Sequence, residues 1–450
     1  MKPRRRTRVA RTDRFSKHTP SIEVEVVRIS GRGEGVGEAN VGPQNRSIRQ
    51  PIFVAGTLPT ERVVAKPIHS TGEGVTCQLS EIVISSTERR EPPCDHFGTC
   101  GGCSLQHWDD APYGEWKRNR VIDAVCRAGG SPSVVSQLFT ALPGTRRRAE
   151  FAIRALRTST IVGFHERSSH RIINIAECPV LQATLVELVN GLRKLGPSLL
   201  SVGELGRATV NVLDNGLDLM LALPQEPKVD GLQAMAELAD DLDLARVTTI
   251  QRNSTTPVLI IERRPPTIHF AGIAVRPPPG AFLQASATGE QAIARAVLDG
   301  LEGAAMLLDL HAGCGTLTFP MLRLGRVHAV DGNQECITTI QDAANRSGIT
   351  ERVSTELRDL VENPLKEHEL SKFDAVVFDP PRAGARAQAE RIATQGPNRV
   401  AAVSCNPSTF ARDAGILIGG GYRLDQVTPI DQFLWSPHVE LVAHFIRDRG

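Results

Sequence analysis

Over the first eighty residues apolar positions alternate with polar ones in short runs. Ile22, Val24 and Val26 are separated by Glu23 and Glu25, the period-two signature of a half-buried strand. Further short strands are predicted over 51–55, 62–68 and 75–84. The glycine-rich run 31–37 lies among them. No helical pattern follows it over 38–43, so it reads as a tight turn in a small β-barrel, not as a phosphate loop. Residues 21–84 thus read as an OB-like all-β module, a shape often used on RNA. Beyond it the pattern is mixed: helical periodicity at 111–126 and 182–195, strands at 160–164 and 171–175, and a hairpin whose arms 210–213 and 217–221 flank Asn215-Gly216. After Arg276-Pro277-Pro278-Pro279 the pattern becomes strand alternating with helix. Strands are expected at 306–310, 327–330, 353–357, 375–378 and 399–404. That is the signature of a doubly wound α/β, Rossmann-like domain with a largely parallel sheet. The expected division is a basic disordered arm 1–20, a β-module 21–84, a mixed α/β central domain 85–275 and an α/β domain 276–450.

A chain of 450 residues is too long for one ordinary core, which agrees with that division. The hydrophobic fraction of 41% is that of a soluble globular protein, and aromatics at 4% leave few rings for base stacking. The net charge of +2 hides an asymmetry. Residues 1–17 hold eight Lys/Arg against Asp13 alone, leaving a body of 44 basic and 49 acidic residues. A basic arm on such a body suits a polyanion, with a solvated tail as the alternative. No apolar segment approaches a membrane span and no leader pattern follows the basic start, so a cytoplasmic protein is expected. In a reducing compartment nine cysteines point to metal binding or catalysis before disulfides.

Five constellations carry chemistry. Cys94, Cys100 and Cys103 form a triplet, and Cys178-Pro179 lies further on. Four thiolates can hold an iron–sulfur cube or zinc, and the triplet with a distant, proline-followed fourth favours the cube over the paired spacing of zinc ribbons; unliganded thiols remain the alternative. The run Asp309-Leu310-His311-Ala312-Gly313-Cys314-Gly315-Thr316 takes a strand into a glycine turn and a helix. Asp331 ends the next strand and Asp359 follows the third, a pattern that fits a nucleoside, either NAD or S-adenosylmethionine. Asp379-Pro380-Pro381-Arg382 delivers a carboxylate to the ligand edge of the sheet, unless it is a simple strand-ending turn. Ser404-Cys405-Asn406-Pro407 ends an apolar strand at a thiol, with Pro407 fit for the first turn of a helix. A thiol beside helix N–H groups is expected to favour thiolate, with a buried inert cysteine as the alternative. Finally, His438 and Glu440 are candidate bases at the start of the strand 441–446.

Together these segments resemble the RNA uracil-5-methyltransferase family, in its iron–sulfur, TRAM-domain branch acting on 23S ribosomal RNA, over about residues 21–446. The resemblance rests on the four cysteines, on Ser404-Cys405-Asn406-Pro407 with Ala411-Arg412-Asp413, and on His438-Val439-Glu440, in that order along the chain. It implies a class I S-adenosylmethionine-dependent methyltransferase domain at the C-terminus, a TRAM β-barrel at residues 21–84 and a [4Fe-4S] cluster on Cys94, Cys100, Cys103 and Cys178. It implies Cys405 as nucleophile, adding to C6 of uracil, and Glu440 as the base that removes the C5 proton. Gln284, His311, Gly313, Thr316, Asp331, Asp359 and Asp379 are the implied cofactor contacts. Two departures stand out. His311-Ala312 replaces an aromatic–cysteine pair, and Ser286 and Thr316 stand where the family often has asparagine. Ribosomal RNA is the favoured partner and transfer RNA the close rival, on a monomeric enzyme; a non-catalytic RNA-binding assembly factor is the rival of another class. Arg146, Arg147, Arg148, Arg154, Arg157, Arg167 and Arg171 are candidate phosphate contacts.

Overall fold

The computed structural model describes residues 13–16, 18–41 and 48–447, so most of the basic arm lies outside the described residues. The chain divides into two compact units, residues 1–113 with 435–437, and residues 114–434 with 438–450.

The first unit carries one seven-stranded sheet. In spatial order its strands are Asp13–Arg14, Arg62–Thr71, Gly74–Ile84, Ile48–Ala55, Glu34–Val41 and Arg28–Ile29, and Ile22–Glu25 also pairs with Arg62–Thr71. Alternate residues of these strands (Val24, Val26, Ile52, Val54, Val63, Ala65) fill one core, as period two requires. The glycine run is a turn and then a strand. Gly33 has a φ of +77°, and a Cβ on Gly37 would lie 2.2 Å from the Glu25 carbonyl oxygen. Among the described residues a strand, Glu34–Val41, and no helix follows it, as the sequence pattern implied.

The second unit holds two layered sheets. In the first, Ile172–Asn174, Thr160–His165, Arg148–Ala155, Leu205–Leu213, Gly216–Leu223, Leu244–Gln251 and Val258–Glu262 lie side by side. The helices Ala183–Leu199 and Val229–Asp241 pack on this sheet through Leu185, Leu188, Leu192, Met235 and Leu238. The expected hairpin is present, with Leu213 paired to Gly216 around a two-residue Asp214-Asn215 connection.

The other sheet belongs to the α/β domain. Its strands are β1 (Met306–Leu310), β2 (Arg326–Asp331), β3 (Val353–Leu357), β4 (Ala375–Phe378), β5 (Arg399–Ser404), β6 (Arg423–Asp431) and β7 (Glu440–Ile446), in spatial order 3-2-1-4-5-7-6, with the two-residue strand Phe139–Thr140 paired in parallel to the outer edge of β6. The first five run parallel and β7 is antiparallel to both neighbours. Helices α1 (Ala287–Gly300), α2 (Thr318–Met321), α3 (Gln334–Arg346), α4 (Glu367–Leu370), α5 (Arg386–Gln395) and α6 (Pro407–Gly419) connect them. Both faces of the sheet are covered, which is why its strands are apolar at successive positions. Leu307, Val327, Val377 and Val403 meet α1 and α3 on one face; Leu308, Leu310, Val376 and Ala402 meet α5, α6 and Val121 and Val125 of the helix Asp110–Arg127 on the other. This is the Rossmann-like architecture expected of residues 276–450. Among the described residues no helix is long and apolar enough to cross a membrane.

Candidate active site

Parallel strands deliver their carboxyl ends to one edge, and the order reverses between β1 and β4, the place where open α/β sheets bind ligands. Asp379 follows β4 there, and its own N–H donates to the Leu310 carbonyl at 3.2 Å. Cys405 follows β5. Ser404 pairs with Leu441 and Ile430 with Glu440, so Cys405 and Glu440 emerge at the same end of neighbouring strands.

Two glutamine side chains join the buried carboxyls. The Gln432 amide nitrogen donates to Gln284 Oε1 at 2.7 Å and to Glu440 Oε2 at 3.1 Å. Gln284 Nε2 donates in turn to Asp379 Oδ2 at 3.3 Å. Glu440 Oε1 is buried and has no hydrogen-bond partner. Burial, then the charge of Asp379, pushes Glu440 up to about 8, and burial pushes Asp379 up to about 7. Both carboxyls therefore resist ionisation well above the ordinary carboxylate range.

Cys405 departs from the thiolate expected of it. Burial first, then the charges of Glu440 and Asp379, lift the thiol to about 11, against a smaller downward pull from Arg382. The helix after it does form: the Asn406 side chain accepts from the Ser408 N–H at 3.0 Å, and Pro407 opens α6. Two nearby carboxyls and loss of water outweigh that helix end. The Pro380-Pro381 exit is strapped to the same helix, because Asn406 Nδ2 and Thr409 Oγ1 both donate to the Arg382 carbonyl. Arg382 also stands within 2.8 Å of the His438 ring nitrogens, and burial and surrounding cations hold that imidazole down at about 4. Of the two candidate bases, Glu440 is the one joined to the carboxyl network.

The glycine turn after β1 forms a second group on this edge. Gly313, at a φ of +54°, donates its N–H to Asp331 Oδ2 at 2.9 Å, while Asp331 Oδ1 accepts from Asn333 at 2.8 Å. His311 adopts a φ of +64°, a left-handed conformation costing on the order of 1 kcal/mol for a side-chain-bearing residue. Burial lowers its pKa while Asp331 and Asp359 pull it back up, so the histidine lies in the field of both acids. Asp359 caps the turn after β3, accepting from Val361 and Glu362 at 2.9 and 3.2 Å. Thr316 is half-buried in the same turn.

Several participants were not singled out by sequence. Asp309 is fully buried within β1. It accepts from Thr318 Oγ1 at 2.6 Å, leaves Oδ1 without a partner, and burial lifts it to about 7. An acid inside an apolar strand was the available signal. The Cys314 thiol shares a hydrogen bond with Cys336 in the first turn of α3, which drives Cys314 up and Cys336 down. Gln432 gave no signal beyond its place between Asp431 and Phe433.

The arginine cluster requires a correction. Arg147 is buried and paired with Glu290, and its Nε donates to the Gln284 carbonyl at 3.1 Å, so it braces the site and is not a phosphate contact. Burial lifts Glu290 above its usual range against the pull of this arginine. Arg148 lies over the Phe282 ring at 5.3 Å, with Nε buried and unpartnered. Arg154, Arg157 and Arg171 are exposed.

Cys94, Cys100 and Cys103 are half-buried in a turn-rich segment of the first unit, where the Gly102 N–H donates to Cys100 Sγ at 3.5 Å. Cys178 is half-buried beside the core of the central sheet. Among the described residues no three metal-ligating side chains are gathered around one point.

The profile of the tRNA (uracil-5-)-methyltransferase family matches residues 278–447. An RNA methyltransferase of Rhizobium meliloti (strain 1021) is 41% identical over 93% of this chain and 98% of its own length. The 23S rRNA (uracil(1939)-C(5))-methyltransferase RlmD of Pectobacterium atrosepticum is 29% identical, covering 98% of this chain and 96% of its own. Among solved structures, the Pyrococcus abyssi tRNA (uracil-54, C5)-methyltransferase in complex with S-adenosyl-L-homocysteine superposes with a TM-score of 0.73 at 22% identity, over 94% of this chain and all of that one.

Proposed function

Because the chain belongs to the RNA uracil-5-methyltransferase family, whose enzymes depend on S-adenosylmethionine, we propose that it methylates C5 of one uracil in 23S ribosomal RNA through a covalent bond from Cys405 to C6. The observation that carries this reading is the meeting of Cys405, Glu440 and Asp379 at one end of β4, β5 and β7.

The residues fit the methyl donor. Asp379 and Glu440 are buried carboxyls bonded to glutamine amides and kept from ionising by burial, so a sulfonium bound near them would favour their ionised forms. Gly313 gives the close backbone approach, and Asp331 and Asp359 provide carboxylate oxygens for ribose or base. Bound S-adenosylmethionine would supply an electrophilic methyl group.

Cys405 gives its proton to solvent and the thiolate adds to C6; the C5=C6 pair moves onto C5, which divides one hard step into easier ones. After methyl transfer, Glu440 in its ionised form takes the C5 proton, the C5–H pair becomes the C5=C6 double bond, and the Sγ–C6 pair returns to sulfur. Gln284, Asp379 and the backbone braced by Arg147 orient the reactants. The family resemblance assigns a [4Fe-4S] cluster to Cys94, Cys100, Cys103 and Cys178, but among the described residues no three of these thiols gather around one point, so the arrangement does not fit the cluster. No step of the methyl transfer uses it. Residues 21–84 would serve as a TRAM module on the RNA, and the target base would be unpaired or flipped out.

Ribosomal RNA is preferred because RlmD aligns over almost the whole chain. Transfer RNA is the second reading, on the strength of the matching family profile. The test is methyl transfer to deproteinised 23S rRNA and to bulk transfer RNA, both lacking the modification. Cys405→Ala should abolish turnover and leave RNA binding measurable. Turnover by that variant would overturn the covalent reading, and exclusive methylation of transfer RNA would overturn the choice of substrate.

A further inference from the structure

We propose that Gln432 is a positioning residue for the base, fixing Oε1 of Glu440 as the oxygen that receives the uracil C5 proton. The proposal rests on the covalent reading above and adds to it the identity of the reacting atom.

The argument starts from the direction of an amide. Gln432 Oε1 accepts the Ala285 N–H at 2.9 Å, and of the two ends of a side-chain amide only the oxygen can accept. The other end of the amide is therefore its NH2, with two hydrogens. One goes to Gln284 Oε1 at 2.7 Å and the other to Glu440 Oε2 at 3.1 Å. Donor and acceptor capacity are both used, so the amide cannot turn over without losing three bonds. Glu440 Oε2 is then an acceptor in every protonation state. A neutral Glu440 is best served with its proton on Oε1, because a carbonyl oxygen at Oε2 is the stronger acceptor for the Gln432 N–H; Oε1 is the buried oxygen that, among the described residues, has no hydrogen-bond partner. The same logic continues outward, since Gln284 Oε1 is taken by Gln432 and its NH2 faces Asp379 Oδ2.

The backbone around Gln432 is pinned as firmly as its side chain. Lys117 Nζ bonds to Asp431 Oδ1 and, at 3.1 Å, to the Phe433 carbonyl; both Lys117 and Asp431 are fully buried. The Ala141 N–H donates to the Asp431 carbonyl at 2.9 Å. Room for the side chain is made by Gly289 in α1, where a Cβ would fall 2.8 Å from Gln432 Cβ and 3.2 Å from its Oε1. A residue held on both sides, with a glycine clearing its path, is built to aim a functional group.

The test is Gln432→Met, which keeps the length and removes the amide, with single-turnover rates measured from pH 5.5 to 9.5. Loss of the amide leaves addition by Cys405 in place but slows proton removal. Covalent RNA adduct should accumulate on a denaturing gel while product formation falls about tenfold to a hundredfold, within the range of general-base effects. The Gln432 amide holds the Glu440 pKa down, so its removal should move the acidic limb of the rate profile to higher pH. The KM for RNA should change less than about threefold, because Gln432 makes no bond that only substrate binding would use. Gly289→Ala displaces the amide without deleting it and should move the limb the same way, a second reading should the first variant fold poorly. Wild-type release of product and an unmoved acidic limb in Gln432→Met would overturn the proposal. Failure of the wild type to form an adduct with 5-fluorouridine RNA would instead overturn the covalent reading beneath it.

Discussion

Replacing Glu440 with glutamine removes a fully enclosed carboxyl and leaves a side chain shaped like its neutral form. The Gln432 NH2 would still meet an oxygen. The free carboxyl is lifted from 4.5 to about 8, with burial the larger cause and Asp379 the next. The sign follows from the two states. Below pH 4.5 the group is neutral folded and unfolded and contributes no pH dependence. Between 4.5 and about 8 the unfolded chain ionises while the folded one keeps its proton, so stability falls as pH rises; above about 8 it levels off. At about 1.4 kcal/mol per pH unit the complete window is worth on the order of 5 kcal/mol. Asp379 titrates in the same window and shares the penalty, which brings the expectation between pH 6 and 8 to about 1–3 kcal/mol. Glu440→Gln should remove the share of that slope that Glu440 carries. Thermal unfolding of the cofactor-free protein at pH 6 and pH 8, wild type beside variant, reads it directly: the wild type should lose roughly 1–4 °C more than the variant between the two. Equal losses would show that Glu440 ionises normally in the folded protein, and the description of a dry, proton-holding site would fail.

Two further outcomes test the surroundings of the thiol and the cofactor loop. Arg382 is the nearby cation that pulls the Cys405 thiol down, so Arg382→Ala should slow alkylation of Cys405 by iodoacetamide at pH 8, seen by peptide mass analysis. Arg147→Ala leaves Glu290 buried without its partner and frees the Gln284 carbonyl. It should cost about 3–5 kcal/mol in urea unfolding and weaken S-adenosylhomocysteine binding, read by calorimetry.

Much of this fold was legible because its signals are local. Buried parallel strands such as Ala375–Phe378 are continuous apolar runs, and strand followed by helix recurs often enough to imply the sheet. The hairpin at Asp214-Asn215 and the opening of α6 at Asn406-Pro407 were also readable, since both depend on backbone preferences of the residues themselves. Reading failed where a residue's meaning depends on distant partners. Arg148–Ala155 carries buried residues at alternate positions (Ala149, Phe151, Ile153, Ala155), yet its arginines drew attention as a charge cluster. Arg147 looked like a surface cation and is a buried brace for residues 137 and 143 positions away. The side chains that gather at Cys405 come from β5, β7, the turn after β4 and the loop before α1, and no spacing rule reveals that Gln432 would bridge Gln284 and Glu440.

The protonation of the thiol shows how the two kinds of information combine. A helix start after Cys405 is a local feature, and it favours thiolate by a few tenths to one kcal/mol or so, roughly what a helix end supplies. The shift to about 11 has the opposite sign, because burial and two carboxyls act on the sulfur together. Asp379 and Glu440 resist ionisation for the same reason, so the resting site carries little net charge despite three acidic groups within one another's field. Ionising any one raises the cost of ionising the next. A cation placed among them relieves all three at once, whereas one beside a lone exposed cysteine would act on that cysteine alone. In the proposed reaction the thiol is therefore a poor nucleophile until the sulfonium arrives, which keeps it quiet toward other electrophiles while the site is empty.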